Sequence, residues 1–347
     1  MMVLTGPAPI HARARDILDH LPEDALVVVN DSGVVPARVV TRRLDDGRPF
    51  ELLVTDPDPS WRPGATVRAW VRHAKELRPG AVLELPPGAS DGPSAGCRLE
   101  YVGPDDTDPR ARRFELLSGD LFATLVEGGQ IPLPPYIRRP DGPTEADRQR
   151  YQTVYARAPG SVAAPTAGLH LEPELVSELE RRHRLCRVTL HVGPGTFLPM
   201  EHDDVRDHRV GAERIEIDEV AASRLTRARA EGRDVVAVGT TCVRTLESVA
   251  QAQAKRRGLS VWPSREPIEP YVGATDLIIT PAHRFAVVDR LLTNFHLPRS
   301  SLLMLTASFG GRSRVLGAYA TAVATGYRFY SYGDCMLLTR AEAAQLA

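Results

Sequence analysis

The chain has 347 residues, of which 43% are hydrophobic and 25% charged, as is usual for a globular protein. Its 43 basic and 44 acidic side chains nearly cancel, which excludes a global electrostatic pull onto nucleic acid or membrane, so any basic footprint must be local. The chain starts without an apolar segment typical of a signal peptide, and no later stretch has the length of a membrane span, so we expect a cytoplasmic protein.

The N-terminal third of the sequence changes character at about residue 34. Before that point it predicts a helix, RARDILDHL, and a buried strand, ALVVVN. Six short β-type runs then follow, separated by proline, glycine and aspartate: ARVVTR, FELLVT, TVRAWVR, AVLEL, CRLEYV and RFELL. Short strands at such spacing indicate a small barrel or sandwich. We therefore expect residues 34–130 to form an inserted antiparallel β-barrel domain.

Strands and helices alternate in the C-terminal half, after the proline-rich segment IPLPPYIRR. The predicted strands are CRVTLHV, ERIEI, DVVAVG, DLIIT and YRFYSYG. The predicted helices begin at Pro173, after Asp218, after GTT and near Ser300, with a last one over 315–324. This alternation predicts an α/β fold with a mostly parallel sheet and flanking helices, formed by residues 1–33 and 131–347.

The loop VAVGTTCVRTLES places Gly239, Thr240 and Thr241 between a buried strand and a helix. Free N–H groups and the helix dipole at such a position suit a phosphate or a carboxylate. Taken alone, the stretch fits a simple capped helix start better than a ligand site. Neither GxxxxGK[ST] nor GxGxxG occurs in it, so no nucleotide fingerprint applies.

Three histidines stand beside loops of small and polar residues: His170 in GLH, His191 in LHVGPGTF and His296 in TNFHLPRSS. Each alone is typical of a hydrogen-bonded core histidine. Because all three are expected at one rim of the sheet, together they favour a functional site. Their spacing matches no zinc-enzyme motif, and no GxSxG elbow occurs, so neither a metal centre nor a serine hydrolase is indicated.

Two other features are weaker. The basic stretches RRHR, at 181–184, and Arg138-Arg139, with Arg148 and Arg150, usually only solvate a surface, but they are where a polyanion would bind. The four cysteines are far apart without CxxC spacing, which favours free thiols in a reducing compartment.

Seven ordered motifs connect the chain to a known family: LPPYIRR, YQTVYA, GSVAAPTAGLH, LHVGPGTF, VGTTCVRTLES, TNFHLPRSSLLML and YRFYSYGDCML. Together they resemble the S-adenosylmethionine:tRNA ribosyltransferase-isomerase family of queuosine biosynthesis. The resemblance covers nearly the whole chain and implies an α/β domain with an inserted β-barrel. It also implies transfer and isomerisation of the ribosyl part of S-adenosylmethionine onto the aminomethyl group of a 7-deazaguanine in tRNA. Epoxyqueuosine forms, adenine and methionine leave, and no metal is required.

The resemblance also implies roles for individual residues. Histidine suits proton transfer near neutral pH, and we expect His170, His191 and His296 to be catalytic. Residues expected to bind S-adenosylmethionine are Thr166, Gly168, Gly193, Gly195, Thr196, Gly239, Thr240, Thr241 and Asn294. Residues expected to bind the acceptor are Tyr136, Arg138, Tyr151, Gln152, Arg244 and Glu213.

The sequence departs from the family pattern in three places. Family members usually begin with a further segment of the type LIAQxP…RDxSRL, a difference that a misassigned start codon would explain. Gly33 stands where the family places an arginine in NDTRV. Gly211 stands where a second histidine of HxMHxE is expected, although His208 and Glu213 are kept.

These departures leave two alternatives open beside an orthodox tRNA-modifying enzyme. One is a paralogue that uses S-adenosylmethionine on a free 7-deazapurine base or nucleoside. The other is a non-catalytic protein that binds S-adenosylmethionine or tRNA. Retention of every glycine-rich motif favours an enzyme, because function is determined by the site rather than by the fold.

Overall fold

The computed structural model describes residues 1–6, 8–86, 96–198, 209–263 and 265–341 of the chain. The strands in these ranges are Met2–Leu4 (β1), Ile10–His11 (β2), Leu26–Asn30 (β3), Ser32–Val34 (β4), Arg38–Arg43 (β5), Pro49–Val54 (β6), Thr66–Val71 (β7), Val82–Glu84 (β8), Arg98–Pro104 (β9), Ala111–Ser118 (β10), Ala158–Ser161 (β11), Leu185–Leu190 (β12), Glu213–Ile217 (β13), Val235–Val238 (β14), Tyr271–Thr275 (β15), Arg290–Asn294 (β16) and Cys335–Thr339 (β17).

The α-helices are Leu121–Gly128 (α1), Glu145–Arg150 (α2), Pro173–Arg181 (α3), Glu219–Ala230 (α4), Thr240–Arg256 (α5), Ser301–Gly310 (α6) and Arg312–Ala324 (α7). Short 3-10 helices span Ala14–His20, Ala74–Glu76, Thr166–His170 and Pro194–Phe197. Two of the expected helix starts have the predicted chemistry. The Asp218 carboxylate accepts a hydrogen bond from the Ala221 N–H, and the Ser300 hydroxyl accepts one from the Leu303 N–H.

A nine-stranded sheet forms the centre of the molecule, in the order β15-β13-β12-β3-β14-β16-β17-β1-β2. Its middle strands β12, β3, β14 and β16 are mutually parallel, and β1 is parallel to β17, whereas the other neighbouring pairs are antiparallel. The α/β class with flanking helices is confirmed, with a sheet that is mixed. Because the four middle strands run the same way, their C-terminal ends lie along one rim.

The two faces of this sheet have different coverings. We call the side covered by α3 and the 3-10 helix Thr166–His170 the α3 face. Its core contains Val27, Val29, Val236, Val238 and Leu292 from the strands, with Ala167, Leu171, Leu175, Val176 and Leu179 above them. The other side, which we call the α5 face, is covered by α4, α5, α6 and α7 and contains Val188, Leu190, Ile215, Ile217, Ala237 and Leu291.

The second architectural unit is a closed barrel with strand order β10-β7-β6-β5-β8-β9, in which all neighbouring pairs are antiparallel. Its six strands coincide with the six predicted β-type runs, so the barrel is confirmed. Phe197 packs against both the barrel core and the core of the α5 face. Arg214 on β13 pairs with Asp56 and Asp58 in the loop after β6. These contacts join the barrel to the sheet near the rim.

Several predicted elements differ from the structure. DLIIT is not a strand. The segment that pairs with β13 lies just before it, at β15, and DLIIT was apolar because it is a loop that buries Ile279. YRFYSYG is not a strand either: Tyr330 has a φ of 75°, which breaks an extended conformation, and the last strand is β17. The first predicted helix is a 3-10 helix in which Asp16 is non-helical. Strand β16 was not predicted, because its short apolar part runs directly into the loop Asn-Phe-His-Leu-Pro.

All four cysteines are free thiols buried in the described structure. Burial raises the pKa of Cys97 to about 11 and that of Cys186 and Cys335 to about 12. Among the described helices, none combines the length and apolarity needed to cross a membrane.

Candidate active site at the C-terminal rim of the sheet

The loops that follow the four parallel strands all emerge at the same rim. His191 comes directly after β12, Asp31 after β3, Gly239 after β14, and Phe295-His296 after β16. In open sheets with parallel strands, ligands bind where such loops meet. The rim therefore gathers residues from distant parts of the sequence.

Asn294, the last residue of β16, is the centre of a buried polar network. Its amide nitrogen donates to the Thr166 hydroxyl at 3.3 Å and to the carbonyls of Tyr330 and Ser331 at 3.2 and 3.3 Å. Its amide oxygen lies 3.0 Å from Nε2 of His170. Thr166, His170 and Asn294, which were predicted separately, are thus brought together on the α3 face.

This network fixes the protonation pattern of His170. Backbone carbonyls only accept hydrogen bonds, so the Asn294 nitrogen must face Tyr330 and Ser331, and its oxygen must face His170. Nε2 of His170 therefore carries the proton, and in the neutral ring Nδ1 is the proton acceptor. Burial lowers the pKa of His170, only partly opposed by the hydrogen bond to Asn294, so the neutral form is favoured.

His191 lies on the same face but in a different setting. Val188 and Leu190 point to the α5 face, so Thr189 and His191 point to the α3 face. A Cβ at Gly160 would come within 2.6 Å of Nδ1 of His191 and 3.2 Å of the Arg214 guanidinium. Burial, reinforced by Arg214, lowers the pKa of His191 to about 4, and its Nδ1 makes no hydrogen bond within the described residues.

Asp31 is a rim residue that sequence reasoning did not single out. Its carboxylate accepts a hydrogen bond from the Thr189 hydroxyl at 2.7 Å and forms an ion pair with Arg157 at 3.0 Å. Asp31 itself is only 5% exposed. The signal was its position directly after the buried strand ALVVVN. Its carboxylate is one of the charges that act on His191.

A second predicted group assembles on the α5 face of the rim. Glu213 and Arg244 form an ion pair whose side chains are 12% and 13% exposed. The other carboxylate oxygen of Glu213 accepts the Gly193 N–H at 2.8 Å, and Arg244 also donates to the Leu277 carbonyl at 3.0 Å. Gly193, Glu213 and Arg244 therefore form one rigid unit. Gly195 and Thr196 are exposed beside it.

Two of the predicted binding residues, Gly239 and Gly168, are glycine for different structural reasons. Gly239 has a φ of 90° immediately before α5, a conformation that side chains rarely adopt, and the first N–H groups of α5, from Thr240 and Thr241, have no partner within the helix. At Gly168 a Cβ would fall 1.9 Å from the Tyr155 hydroxyl. Gly168 is thus required for the packing of Tyr155, whose hydroxyl makes no hydrogen bond within the described residues.

The structure separates His296 from the other two histidines. Adjacent residues of a strand point to opposite faces, so Thr293 lies on the α5 face when Asn294 lies on the α3 face. Nε2 of His296 is 2.8 Å from the Thr293 hydroxyl, and its backbone N–H donates to the Tyr319 hydroxyl at 2.7 Å. Burial lowers the pKa of His296 to about 4. His170 and His296 therefore do not share one side of the sheet.

The predicted acceptor residues divide into exposed and packed groups. Tyr136 is 40% exposed and its hydroxyl hydrogen-bonds that of Ser331, next to the Asn294 network, and Arg138 is exposed nearby in the chain. Tyr151 is only 1% exposed and belongs to a small core, so it is not available to a ligand in this structure. Gln152 accepts the Val34 N–H at 3.1 Å and thereby holds strand β4.

At two of the sequence departures the backbone leaves room for a first side-chain carbon. A Cβ at Gly33 would make ordinary contacts of 3.4 to 3.7 Å with Pro159, Gln152 and Ala158, and one at Gly211 would meet nothing within 4 Å. His208 lies outside the described residues. Across the ranges that are described, no three His, Cys, Asp or Glu side chains are grouped so that they could hold a metal ion.

The sequence of the chain is similar to that of several known proteins that share one name. The profile of a family described as "Queuosine biosynthesis protein" matches residues 1–338. A protein of Thermus thermophilus named "S-adenosylmethionine:tRNA ribosyltransferase-isomerase" is 46% identical over 336 residues, covering 96% of this chain and 90% of that protein. The protein of the same name from Nitratidesulfovibrio vulgaris is 44% identical over 347 residues, covering 95% and 87%.

A crystal structure of an S-adenosylmethionine tRNA ribosyltransferase from Thermotoga maritima aligns with a TM-score of 0.47 and 29% identity, covering 97% of this chain and 90% of that one. The match to the family profile and the identity to its curated members extend over nearly the full sequence. The chain therefore belongs to the queuosine biosynthesis protein family.

Proposed function

We propose that this protein is an S-adenosylmethionine-dependent ribosyltransferase-isomerase of queuosine biosynthesis. It transfers and isomerises the ribosyl part of S-adenosylmethionine onto the aminomethyl group of a 7-deazaguanine in tRNA, giving epoxyqueuosine and releasing adenine and methionine. The observation that carries this proposal is the 44% and 46% identity, over 95% and 96% of the chain, to relatives that bear this enzyme name. The relatives' names give no support to a free 7-deazapurine acceptor.

The reaction needs a base close to the sulfonium. The positive sulfur acidifies the adjacent C5′ protons, so a positioned neutral base can take one of them. We assign this role to Nδ1 of His170, because Asn294 holds the proton on Nε2 and leaves Nδ1 as the acceptor. Thr166 and Asn294 act as positioning residues for the ring.

Other rim residues fit the remaining tasks. The N–H groups at Thr240 and Thr241, freed by the turn at Gly239, suit the carboxylate of the methionine part. His191, whose ring points to the same face as His170, is a candidate for a hydrogen bond to the substrate or to the departing adenine. The Glu213–Arg244 unit and Gly193, with Gly195 and Thr196 beside it, supply a charged wall on the α5 face.

Three assignments differ from the expectations drawn from the resemblance. We place His296 and Tyr151 outside direct contact with substrate, since His296 faces Thr293 and Tyr151 is in a core. Gly168 acts through the packing of Tyr155. Tyr136 and Arg138 remain candidates for binding the tRNA, and Gln152 for positioning the segment around Gly33.

We propose two functional parts of the chain: residues 1–33 and 131–347 bind S-adenosylmethionine, and residues 34–130 form the inserted barrel domain. No metal is required by the chemistry, because side chains supply the base and the hydrogen bonds. Cytoplasmic location stays a prediction.

The test is to incubate the protein with S-adenosylmethionine and one of two acceptors, a tRNA carrying 7-aminomethyl-7-deazaguanine or that base alone. We expect adenine and methionine release with the tRNA only, and a mass increase of the tRNA that corresponds to the transferred group. A metal-chelated sample is expected to keep full turnover. Absence of adenine release with the modified tRNA, in a protein that is folded, would refute the proposal.

A further inference from the structure

Two tyrosine rings lie together at the outer edge of the Asn294 network. The centroids of Tyr136 and Tyr330 are 5.1 Å apart and their planes are inclined by 43°. Tyr136 is 40% exposed and Tyr330 is half-buried, so the pair is open on one side. The Tyr136 hydroxyl is bonded to Ser331, which orients its ring.

The backbone of Tyr330 is held in an uncommon conformation. Its φ of 75° lies in the left-handed region, which a bulky residue adopts only when its surroundings enforce it. The Tyr330 N–H donates to the Phe295 carbonyl at 2.9 Å, and its own carbonyl accepts from Asn294 at 3.2 Å and from the Gly333 N–H at 3.0 Å. Strand β16 and the loop around 330 thus fix this ring beside Tyr136.

Arginines stand close to the pair in the sequence. Arg138 follows Tyr136 by two residues and Arg328 precedes Tyr330 by two, and both are exposed. The Arg150 guanidinium lies 5.7 Å from the ring centre of Tyr332, the next aromatic residue of the loop. Within the described ranges neither Arg138 nor Arg150 forms an ion pair, whereas the Arg328 guanidinium lies 3.9 Å from the Asp334 carboxylate. Arginine next to exposed aromatic rings is the combination that binds single-stranded RNA, through phosphates and stacked bases.

We propose that Tyr136 and Tyr330 form a platform on which an unpaired RNA base stacks, at the entrance to the site around His170 and Asn294. This inference rests on the proposed function and specifies how the RNA is held there. Tyr330, which is not among the residues expected to bind the acceptor, is the principal contact of the base. The arginines at 138, 150 and 328 contact the phosphates on either side of the base.

The test uses Tyr330→Gly, which removes the ring while keeping a residue that accepts a φ of 75° without strain. Loss of one stacked base predicts a KM for tRNA raised about tenfold or more, with the KM for S-adenosylmethionine unchanged. Tyr330→Phe keeps the ring and is expected to behave like the wild type. His73→Gly is the matched control, because His73 is an exposed non-glycine residue with a φ of 61° in the barrel segment.

A binding measurement separates this proposal from the proposed function. A short RNA hairpin with 2-aminopurine in its loop is titrated with protein, since stacking quenches the fluorescence of this base. Quenching by wild type and His73→Gly, with loss in Tyr330→Gly, supports the platform even if the wild type releases no adenine. A wild type that does not quench, or a Tyr330→Gly variant that quenches equally, overturns it. So does a variant whose KM rises for S-adenosylmethionine instead of tRNA.

Discussion

Strand β16 presents two adjacent polar residues, Thr293 and Asn294, to opposite faces of the sheet, and each contacts a histidine. On the α3 face, His170 is held in one tautomer by an amide that is itself fixed by two backbone carbonyls. On the α5 face, His296 bonds a hydroxyl, which both donates and accepts, and it lies near the aromatic rings of Phe295 and Tyr319. Burial lowers the pKa of both histidines. A lowered pKa is thus common to both histidines, whereas the proton position fixed by Asn294 belongs to His170 and supports the role proposed for it.

Replacing each histidine by alanine tests the difference between the two faces most strongly. We expect His170→Ala to lower kcat by about 10² to 10⁴, the usual range for loss of a general base. His296→Ala should keep kcat within about tenfold of the wild type while lowering stability. Adenine release at saturating substrates and urea unfolding measure the two effects. Equal loss of kcat in both variants would contradict the assignment.

Asn294 and Thr293, the residues of β16 that contact the two histidines, test the same difference. Asn294→Leu removes the amide that orients His170 and leaves buried carbonyls unpaired, so kcat should fall about 10- to 100-fold. Thr293→Val, its control on the α5 face, removes only the bond to His296 and should change kcat by less than about threefold. A larger kcat effect at Thr293 than at Asn294 would place the chemistry on the other face.

A pair of glycines tests whether His191 belongs to the α3-face site. In Gly160→Ala the new methyl would meet Nδ1 of His191 at 2.6 Å, at a φ of 151° that alanine rarely adopts, and should lower kcat/KM about tenfold by displacing the ring. Gly64→Ala meets nothing within 4 Å at a φ of 91° and is the matched control, since Gly64 lies between β6 and β7 of the barrel. The kinetics of adenine release report the effect. Unchanged kinetics for a folded Gly160→Ala would exclude His191 from the site.

The smallest expected effect is the pH dependence of stability. The pKa values of His191 and His296 are lowered to about 4, whereas an ordinary histidine has 6.5. As pH falls, these two histidines take up protons in the unfolded chain before they do so in the folded protein. The free energy of unfolding is therefore highest above pH 6.5 and decreases between pH 6.5 and pH 4. Urea unfolding at several pH values should show a shallower slope in His296→Gln, and an unchanged slope would contradict this account.

The barrel could be predicted from sequence because each strand is a short run bounded by turn residues, and pairing with neighbours only completes that local pattern. The rim was predicted in part: His170, His191 and Asn294 are marked by the glycine-rich or polar loops that contain them. Asp31, Gly160 and Tyr330 were not, because their roles depend on contacts between segments far apart in sequence, such as Asp31 with Arg157, 126 residues away. The separation of His296 from His170 likewise required the register of β16, which was itself missed.

The position of β17 has a consequence for how the protein is made. This strand lies between β16 and β1, where Met336 pairs with Met2, so it joins the middle of the sheet to a segment far earlier in the chain. Until residues 335–339 have emerged from the ribosome, β16 has an unpaired edge next to the very residue that orients His170. The barrel, whose strands all precede residue 119, can close long before that moment. Assembly of the rim therefore follows the synthesis of residues 335–339 and comes after closure of the barrel.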